Sequence, residues 1–137
     1  MAARKILYVC QEIMPYLPES ELSSLCRRLA QAMQERGNEI RTFMPRYGCI
    51  NERRNQLHEV IRLSGMNLII DDNDHQLIIK VASIPSARIQ IYFIDNEDFF
   101  SRKAVMVDAD GEEFADNDER AIFFGRGVLE TVKKLNW

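Results

Sequence analysis

Two carboxylates follow predicted strands at positions where α/β proteins bind ligands. Glu12 comes soon after the apolar run 5–10, and Asp95 closes the run 88–95. The carboxyl ends of parallel strands meet at one edge of a sheet, where open α/β sheets bind their ligands. We therefore expect Glu12 and Asp95 to belong to one binding edge, with loop stabilisation as the alternative role. Arg120 is a third candidate: it either pairs with a nearby acidic loop, which is the favoured interpretation, or reaches a ligand.

The loop after the first strand lacks the residues that usually bind phosphate. A strand that passes through a tight loop into a helix is the common phosphate site of α/β proteins, because N–H groups and the helix dipole converge there. The segment 17–24 has no glycine to admit a phosphate and no lysine to neutralise one, and it carries Glu19 and Glu21. The strand–loop–helix order indicates a nucleotide-sugar enzyme, whereas the residues of the loop argue against that chemistry.

Other catalytic or metal-binding patterns are missing from the sequence. His58 and His75 are isolated, and no Ser-His-Asp or Cys-His arrangement is supported locally. The cysteines Cys10, Cys26 and Cys49 are odd in number and far apart, which is typical of reduced thiols in a cytosolic protein. We predict no metal, no cofactor and a cytoplasmic location.

Composition and charge favour a soluble globular domain. Apolar residues make up 46% of the 137 residues, which is enough for one domain with a core. The net charge of −3 predicts no nucleic-acid partner, and no run is long enough to cross a membrane or to act as a secretory signal. The segment 95–119 is acidic and the segment 27–54 is rich in arginine. The first is interpreted as a solvated loop, with docking on the second as the alternative.

Hydrophobic periodicity in the first third predicts a βαβ unit. The run 5–10 indicates a buried strand, and the alternation over 39–44 indicates a second strand. Between them, 20–36 predicts a helix that begins at Ser20 as N-cap and stops at Gly37-Asn38. Its apolar residues form one predicted stripe: Leu22, Leu25, Cys26, Leu29, Ala32 and Met33. This spacing predicts a right-handed crossover between parallel strands.

The middle of the chain predicts antiparallel structure, after which the α/β pattern resumes. A strand is expected over 58–65, and the runs 66–70 and 77–84 flank the turn signal 71–74, which predicts an inserted hairpin. The run 88–95 then returns as a buried strand.

The last third predicts an acidic loop and a long helix. The loop covers 96–117, with a possible helical turn near 98–102. A capping box from Asp116 to Glu119 predicts the start of a helix that runs from Asp118 to about Asn136. Its two glycines, Gly125 and Gly127, are expected to permit close packing on the sheet.

Together these elements predict an α/β fold, a three-layer Rossmann-like domain with an inserted antiparallel hairpin. The parallel strands are expected near 5–10, 39–44 and 89–94. The chain 1–137 is interpreted as a single partial domain, because an α/β scheme that stops on a helix lacks its next strand.

Four sequence blocks resemble bacterial glycogen synthases and plant starch synthases. The blocks are KILYVCQEIMPY at 5–16, MPRYGCI at 44–50, IYFIDN with FFSR within 91–102, and DNDERAIFF at 116–124. They occur in order and at suitable spacing over nearly the whole chain. The resemblance implies the N-terminal half of a glucosyltransferase with two Rossmann-like domains, which transfers glucose from ADP-glucose to an α-1,4-glucan. It also implies that Asn117 and Arg120 lie near the substrate.

The chain departs from this family at the donor-binding loop. The family has Lys-x-Gly-Gly-Leu in this loop, and in this chain Pro18 stands in place of the lysine. Ser20 and Glu21 replace the two glycines, and Ser24 replaces an aspartate that follows the motif. Only the leucine is kept, as Leu22. A carboxylate at Glu21 would repel the donor diphosphate, and a side chain in place of glycine blocks the backbone approach. The His-Asp-Trp segment and the C-terminal nucleotide domain are not within these 137 residues.

We therefore expect the chain by itself to be inactive, and we assign no catalytic residue. The candidate substrate-binding residues are Glu12, Asp95, Asn117 and Arg120. The expected partners are an α-glucan and ADP-glucose, with no nucleic acid or membrane, and an exposed sheet edge could support a homo-oligomer. A non-catalytic glucan-binding or regulatory module is the alternative function, and a generic nucleotide-binding domain is a third.

Overall fold

The computed structural model describes residues 3–84 and 87–137 and has a mixed α/β fold. In chain order the elements are β1 Lys5–Val9, α1 Glu21–Glu35, β2 Glu39–Pro45, β3 His58–Glu59, β4 Asn67–Ile70, β5 Asn73–Gln76, β6 Ile78–Ile84, β7 Ile89–Asp95, α2 Glu97–Phe100 and α3 Asn117–Leu135.

The main sheet has five strands in the order β1-β2-β7-β6-β3. Strands β1, β2 and β7 are parallel, whereas β6 and β3 add to the far side of β7 as antiparallel strands. The three predicted parallel strands are therefore confirmed. Because β1, β2 and β7 point the same way, their carboxyl ends meet at one edge of the sheet.

Helices cover the two faces of this sheet, as the three-layer prediction requires. On one face the ring of Phe93 meets Tyr16, from the β1–α1 connection, with ring centroids 4.9 Å apart. On the opposite face the next residue, Ile94, packs against Gly127 of α3. Neighbouring residues of a strand point to opposite faces, so one central strand contacts both outer layers.

The first helix begins as the sequence predicts. Ser20 is the N-cap, and its side chain accepts the Ser23 N–H while the Ser23 side chain accepts the Ser20 N–H. The predicted apolar stripe is only partly buried, however. Cys26 packs in the core, whereas Leu22, Leu25 and Leu29 are 42%, 53% and 44% exposed.

The predicted hairpin exists with a different second strand. Strand β4 pairs with β5, through the two-residue turn Asp71-Asp72, and forms a separate two-stranded sheet. Both turn residues have left-handed backbone, φ 49° and 63°, a conformation that Asp tolerates and that matches strand twist in two-residue hairpins. The run 77–84, expected in this hairpin, instead lies in the main sheet as β6, where it pairs with β7 along its whole length.

Two further local predictions were wrong. The strand expected over 58–65 is limited to His58–Glu59, and the chain turns at 61–63. Asp116 occupies the N-cap position of α3 but makes no side-chain cap, because its carboxylate binds the guanidinium of Arg102. The capping box is therefore not formed.

The two glycines of α3 give the first testable prediction. A Cβ at Gly127 would lie 2.8 Å from Ile94 Cγ2 and 3.1 Å from Leu77 Cδ1, whereas a Cβ at Gly125 meets nothing within 4 Å. Gly125→Ala should raise the free energy of unfolding by about 0.5–1 kcal/mol, through helix propensity alone. Gly127→Ala should instead lower it, because overpacking outweighs that gain. Urea unfolding of both variants measures this difference, and an equal gain at both positions would contradict the packing role of Gly127.

Candidate functional site

A cavity of about 160 Å³ lies at the carboxyl ends of β1 and β2. Its polar lining residues come from separate elements: Gln11 follows β1, while Asn117 and Arg120 lie in the first turn of α3. The remaining walls are mostly apolar and aromatic, formed by Pro45, Tyr47, Phe100, Met106, Ala121 and Phe124. The structure thus brings two of the predicted site residues, Asn117 and Arg120, to one cavity.

Arg120 is buried and is held by oxygens of its own half of the chain. Its Nε donates to the Phe99 carbonyl at 2.8 Å, and its Nη1 donates to the Val105 carbonyl at 2.7 Å and to Asn117 Oδ1 at 2.8 Å. Its Nη2 has no hydrogen-bond partner among the described residues. All three acceptors lie in the predicted acidic loop 96–117, so Arg120 pairs with that loop as favoured, although through carbonyl and amide oxygens and not through acidic side chains.

Burial has an electrostatic cost at Arg120. Removal from water lowers the pKa of its guanidinium, and the nearby positive charge of Arg102 lowers it further. Aromatic rings compensate in part, since the guanidinium carbon lies 5.3 Å from the ring centroid of Phe100 and 5.0 Å from that of Phe114. A buried cation whose Nη2 amino group has no partner among the described residues is well suited to bind an oxygen of a ligand.

Tyr47 connects this cavity to Glu12. Burial raises the pKa of the Tyr47 hydroxyl above its usual range, the charge of Arg120 opposes that shift, and the charge of Glu12 adds to it. Glu12 is half-buried and does not line the cavity, but its charge acts on Tyr47 from close by. Glu12 therefore stays a predicted binding residue at the border of the cavity.

Asp95 lies at the same sheet edge but does not line the cavity. One carboxylate oxygen accepts from Arg46 Nη2 at 2.9 Å, and the other lies 3.0 Å from Lys80 Nζ. Glu52 completes the network, with 2.8 Å to Lys80 and 3.5 Å to Arg46. Burial disfavours the charge of Lys80, yet the bonds to Glu52 and Asp95 outweigh that effect and raise its pKa. This geometry explains Asp95 as a buried structural partner of two cations.

The four residues of the altered donor loop take part in the start of α1. Ser20 caps the helix, the Pro18 carbonyl accepts the Ser23 hydroxyl at 3.0 Å, and Ser24 Oγ lies 3.2 Å from Met14 Sδ. Glu21 is exposed in the first turn, where a carboxylate favours the helix dipole. The Ser20 side chain thus occupies an N–H group that a phosphate would otherwise bind.

Sequence reasoning missed several residues of the cavity. The four family blocks contain Gln11, Tyr47, Phe100 and Phe124, but none of these is assigned a role in a site from the sequence alone. A signal for Tyr47 did exist, because it follows the end of β2 just as Glu12 follows the end of β1. The aromatic residues gave none, since buried phenylalanines are ordinary core residues.

The described residues form neither a metal cluster nor a membrane-spanning helix. Among residues 3–84 and 87–137, no group of three or more His, Cys, Asp or Glu side chains is placed to hold a metal ion. None of the described helices combines the length and apolarity needed to span a bilayer.

Comparison with known proteins gives one consistent result. The family model for the starch synthase catalytic domain matches residues 5–137. Glycogen synthase of Chlorobium limicola is 41% identical over 134 residues, which is 97% of this chain and 27% of the relative. Glycogen synthase of Chlorobaculum tepidum is also 41% identical, over 97% of this chain and 28% of the relative. The chain therefore spans about a quarter of the length of these curated relatives.

A solved structure shares the fold. The catalytic domain of starch synthase IV from Arabidopsis thaliana, bound to ADP and acarbose, matches with a TM-score of 0.79 and 18% identity. The match covers 98% of this chain and 26% of that chain.

The Arg102–Asp116 ion pair beside the cavity predicts a pH effect on stability. Two 2.6 Å hydrogen bonds from Arg102 lower the pKa of Asp116 below 3.8. The stabilisation is therefore fully present above about pH 4, and it is lost as the pH falls through the lowered pKa. Asp116→Asn should cost about 1 kcal/mol of unfolding free energy near pH 6 and less near pH 2, because protonation of Asp116 removes the ion pair as the pH falls through its lowered pKa.

Urea unfolding at both pH values measures this effect. Asp118→Asn is the matched control, because the Asp118 carboxylate is exposed, accepts the Glu119 N–H and forms no ion pair with any described residue. A cost for Asp116→Asn that is the same at both pH values would contradict the assigned ion pair.

Proposed function

The chain belongs to the starch synthase catalytic domain family, and from this premise we propose that it is the acceptor-side part of a glycogen- or starch-synthase-type glucosyltransferase. Such an enzyme transfers glucose from ADP-glucose to an α-1,4-glucan. Residues 1–137 form one partial N-terminal domain in this proposal. Its expected location is the cytoplasm, with neither nucleic acid nor membrane as a partner, in keeping with a net charge of −3 and with three cysteines that form no disulfide.

The cavity at the carboxyl ends of β1 and β2 carries this proposal. Tyr47, Phe100 and Phe124 offer aromatic surface to the C–H face of a sugar ring. Gln11 offers an amide group to hydroxyls in the same cavity, and the amide of Asn117 lies in its wall, bonded to Arg120 and to the Met106 carbonyl. Apolar walls with a few convergent polar groups are the usual composition of a small-molecule site. We therefore assign this cavity, with Glu12 at its border, to a glucose unit of the acceptor glucan.

Donor chemistry is not supported to the same degree in this chain. The loop offers no lysine, its helix N-terminus is capped by Ser20, and Glu21 places a negative charge there. Holding donor and acceptor in line can contribute roughly 7–11 kcal/mol to lowering a reaction barrier. A chain that contains one side of the cleft does not provide this, so we propose that the 137 residues alone transfer no glucose.

The second candidate function is a glucan-binding or regulatory module without catalysis. The capped and negatively charged start of α1 favours it, because that feature weakens donor binding and leaves the acceptor cavity unaffected. Glucan affinity without affinity for ADP-glucose would support the module, whereas tight binding of ADP-glucose would contradict our assignment of the loop.

Self-association through the β1 edge is a further part of the proposal. No strand among the described residues pairs with the outer side of β1, where Leu7 and Val9 are 40% and 47% exposed. The leucines of α1, Leu22, Leu25 and Leu29, are exposed as well. Apart from Lys5 the edge has no charge, and it has no proline to discourage pairing. We propose that two copies of the chain pair along this edge.

Glucan binding tests the assignment of the cavity. Gln11→Ala should weaken the affinity for a maltooligosaccharide by roughly threefold to tenfold, because one neutral hydrogen bond is lost. Isothermal titration calorimetry measures the change, and Gln90→Ala is the control, since Gln90 is equally exposed and lies on β7 away from the cavity. The same samples should transfer no radiolabelled glucose from ADP-glucose. Equal affinities for the two variants, or turnover by the unmodified chain, would contradict the proposal.

Sedimentation equilibrium tests the β1 edge. The unmodified chain should show a concentration-dependent dimer, and Val9→Lys should shift it to monomer because a charge on an edge strand opposes pairing. Ile61→Lys serves as the control, since Ile61 is 80% exposed on a turn away from β1. A monomer at all concentrations, or a Val9→Lys dimer as strong as the unmodified one, would argue against this interface.

A further inference from the structure

A groove lies between the β1–α1 connection and the segment 49–56, and it shares no lining residue with the glucan cavity. It consists of two adjoining cavities of about 330 and 240 Å³. Both cavities are lined by Pro15, Tyr16, Arg54 and Asn55. We call this feature the Arg54 groove.

Arg54 provides a cation without a partner. Within the described part of the chain, no hydrogen bond or ion pair involves its guanidinium, and its backbone N–H donates to Asn51 Oδ1 at 2.9 Å. Glu52, the nearest acid in sequence, is already bound by Arg46 and Lys80. No carboxylate belongs to the described residues that line the two cavities. The groove therefore has a positive charge that no described residue neutralises.

The turn that carries Arg54 is fixed by its own hydrogen bonds. The Asn51 carbonyl accepts the Asn55 N–H at 3.1 Å and Asn55 Nδ2 at 2.9 Å, and the Leu57 N–H donates to the Glu52 carbonyl at 2.9 Å. Because the side-chain oxygen of Asn51 is also occupied, its amide N–H groups are left for other acceptors. The turn thus presents donors in a preorganised arrangement, which favours a ligand rich in acceptors.

Tyr16 forms a rigid wall of the groove. Its ring is held edge-on against Phe93, and its hydroxyl is buried without a hydrogen-bond partner among the described residues. Burial raises the pKa of this hydroxyl to about 12, against the lowering effect of the charge of Arg27. The phenol therefore stays protonated and adds no negative charge near Arg54 at neutral pH.

We propose that the Arg54 groove binds a small phosphomonoester, with the guanidinium of Arg54 contacting two phosphate oxygens. A planar guanidinium matches phosphate in a bidentate manner, and a phosphate accepts hydrogen bonds without requiring acceptors in return. The two cavities continue past Arg54 along Pro15 and Tyr16, so the organic part of the ester has room there. Pro18 of the altered donor loop also lines the larger cavity, but the proposed ligand differs from those of the proposed function, because neither a glucan nor ADP-glucose carries a phosphomonoester.

Calorimetric titration of the full 137-residue chain tests the proposal. The probes are inorganic phosphate, a hexose monophosphate and adenosine monophosphate, which separate the phosphate itself from a sugar or a nucleoside attached to it. Arg54→Ala should weaken the binding of every probe that binds by roughly tenfold or more, since a charged hydrogen-bonded contact is lost. Arg54→Lys should weaken it less, because the charge remains while the fork is lost.

Arg53→Ala is the matched control. Arg53 is next to Arg54 in sequence and exposed, but it lines neither cavity, so its removal should change the affinity by less than about twofold, as expected for a solvent-screened charge that makes no direct contact with the ligand. Gln11→Ala should leave phosphate binding unchanged, and Arg54→Ala should leave maltooligosaccharide binding unchanged, so the two proposals fail independently. Equal losses for Arg53→Ala and Arg54→Ala, or no binding of any probe at millimolar concentration, would overturn the proposal.

Discussion

Parallel pairing on both sides of β2 is the constraint on which the rest of this structure depends. Strand β2 pairs in parallel with β1 through Glu39 to Phe43 and with β7 through Thr42 to Pro45. The three strands must therefore end at one edge of the sheet. Segments that are far apart in sequence, such as the one after β1 and the start of α3, meet there because β2 fixes the order of its neighbours.

The edge carries a cavity on one side of the sheet and an internal ion network on the other. On the side of α3 lies the cavity of Tyr47 and Arg120, with aromatic walls and with Nη2 of Arg120 unpaired among the described residues. Toward the other side, Asp95 binds Arg46 and Lys80 in a network that also includes Glu52. Breaking a buried pair leaves an uncompensated charge, so this network constrains the edge strongly, although none of its four residues lines the cavity.

The arginines of the segment 27–54 also have two different environments, one internal and one exposed. Arg46 binds Asp95 in the internal ion network. Because Asp95 begins the acidic segment 95–119, this is one contact of the kind expected if the acidic segment docks on the arginine-rich segment. Arg54, eight positions later in the chain, is carried outward by a hydrogen-bonded turn and meets no acid among the described residues. Charge density in the sequence therefore did not indicate which cations are structural and which remain available.

The sequence by itself determined the features that depend on neighbours within a few residues. These include the Ser20 cap, the helix that follows it, the three parallel strands, and the family blocks spread along the chain. Local periodicity and side-chain capping act between residues that are close in sequence, so the sequence alone is enough to predict them. Tertiary structure decided the partner of β6, the role of Asp95, the bonds of Arg120 and the aromatic walls of the cavity. Each of these joins residues that are distant in sequence, and such contacts are set by packing and by competition among partners that no local pattern encodes.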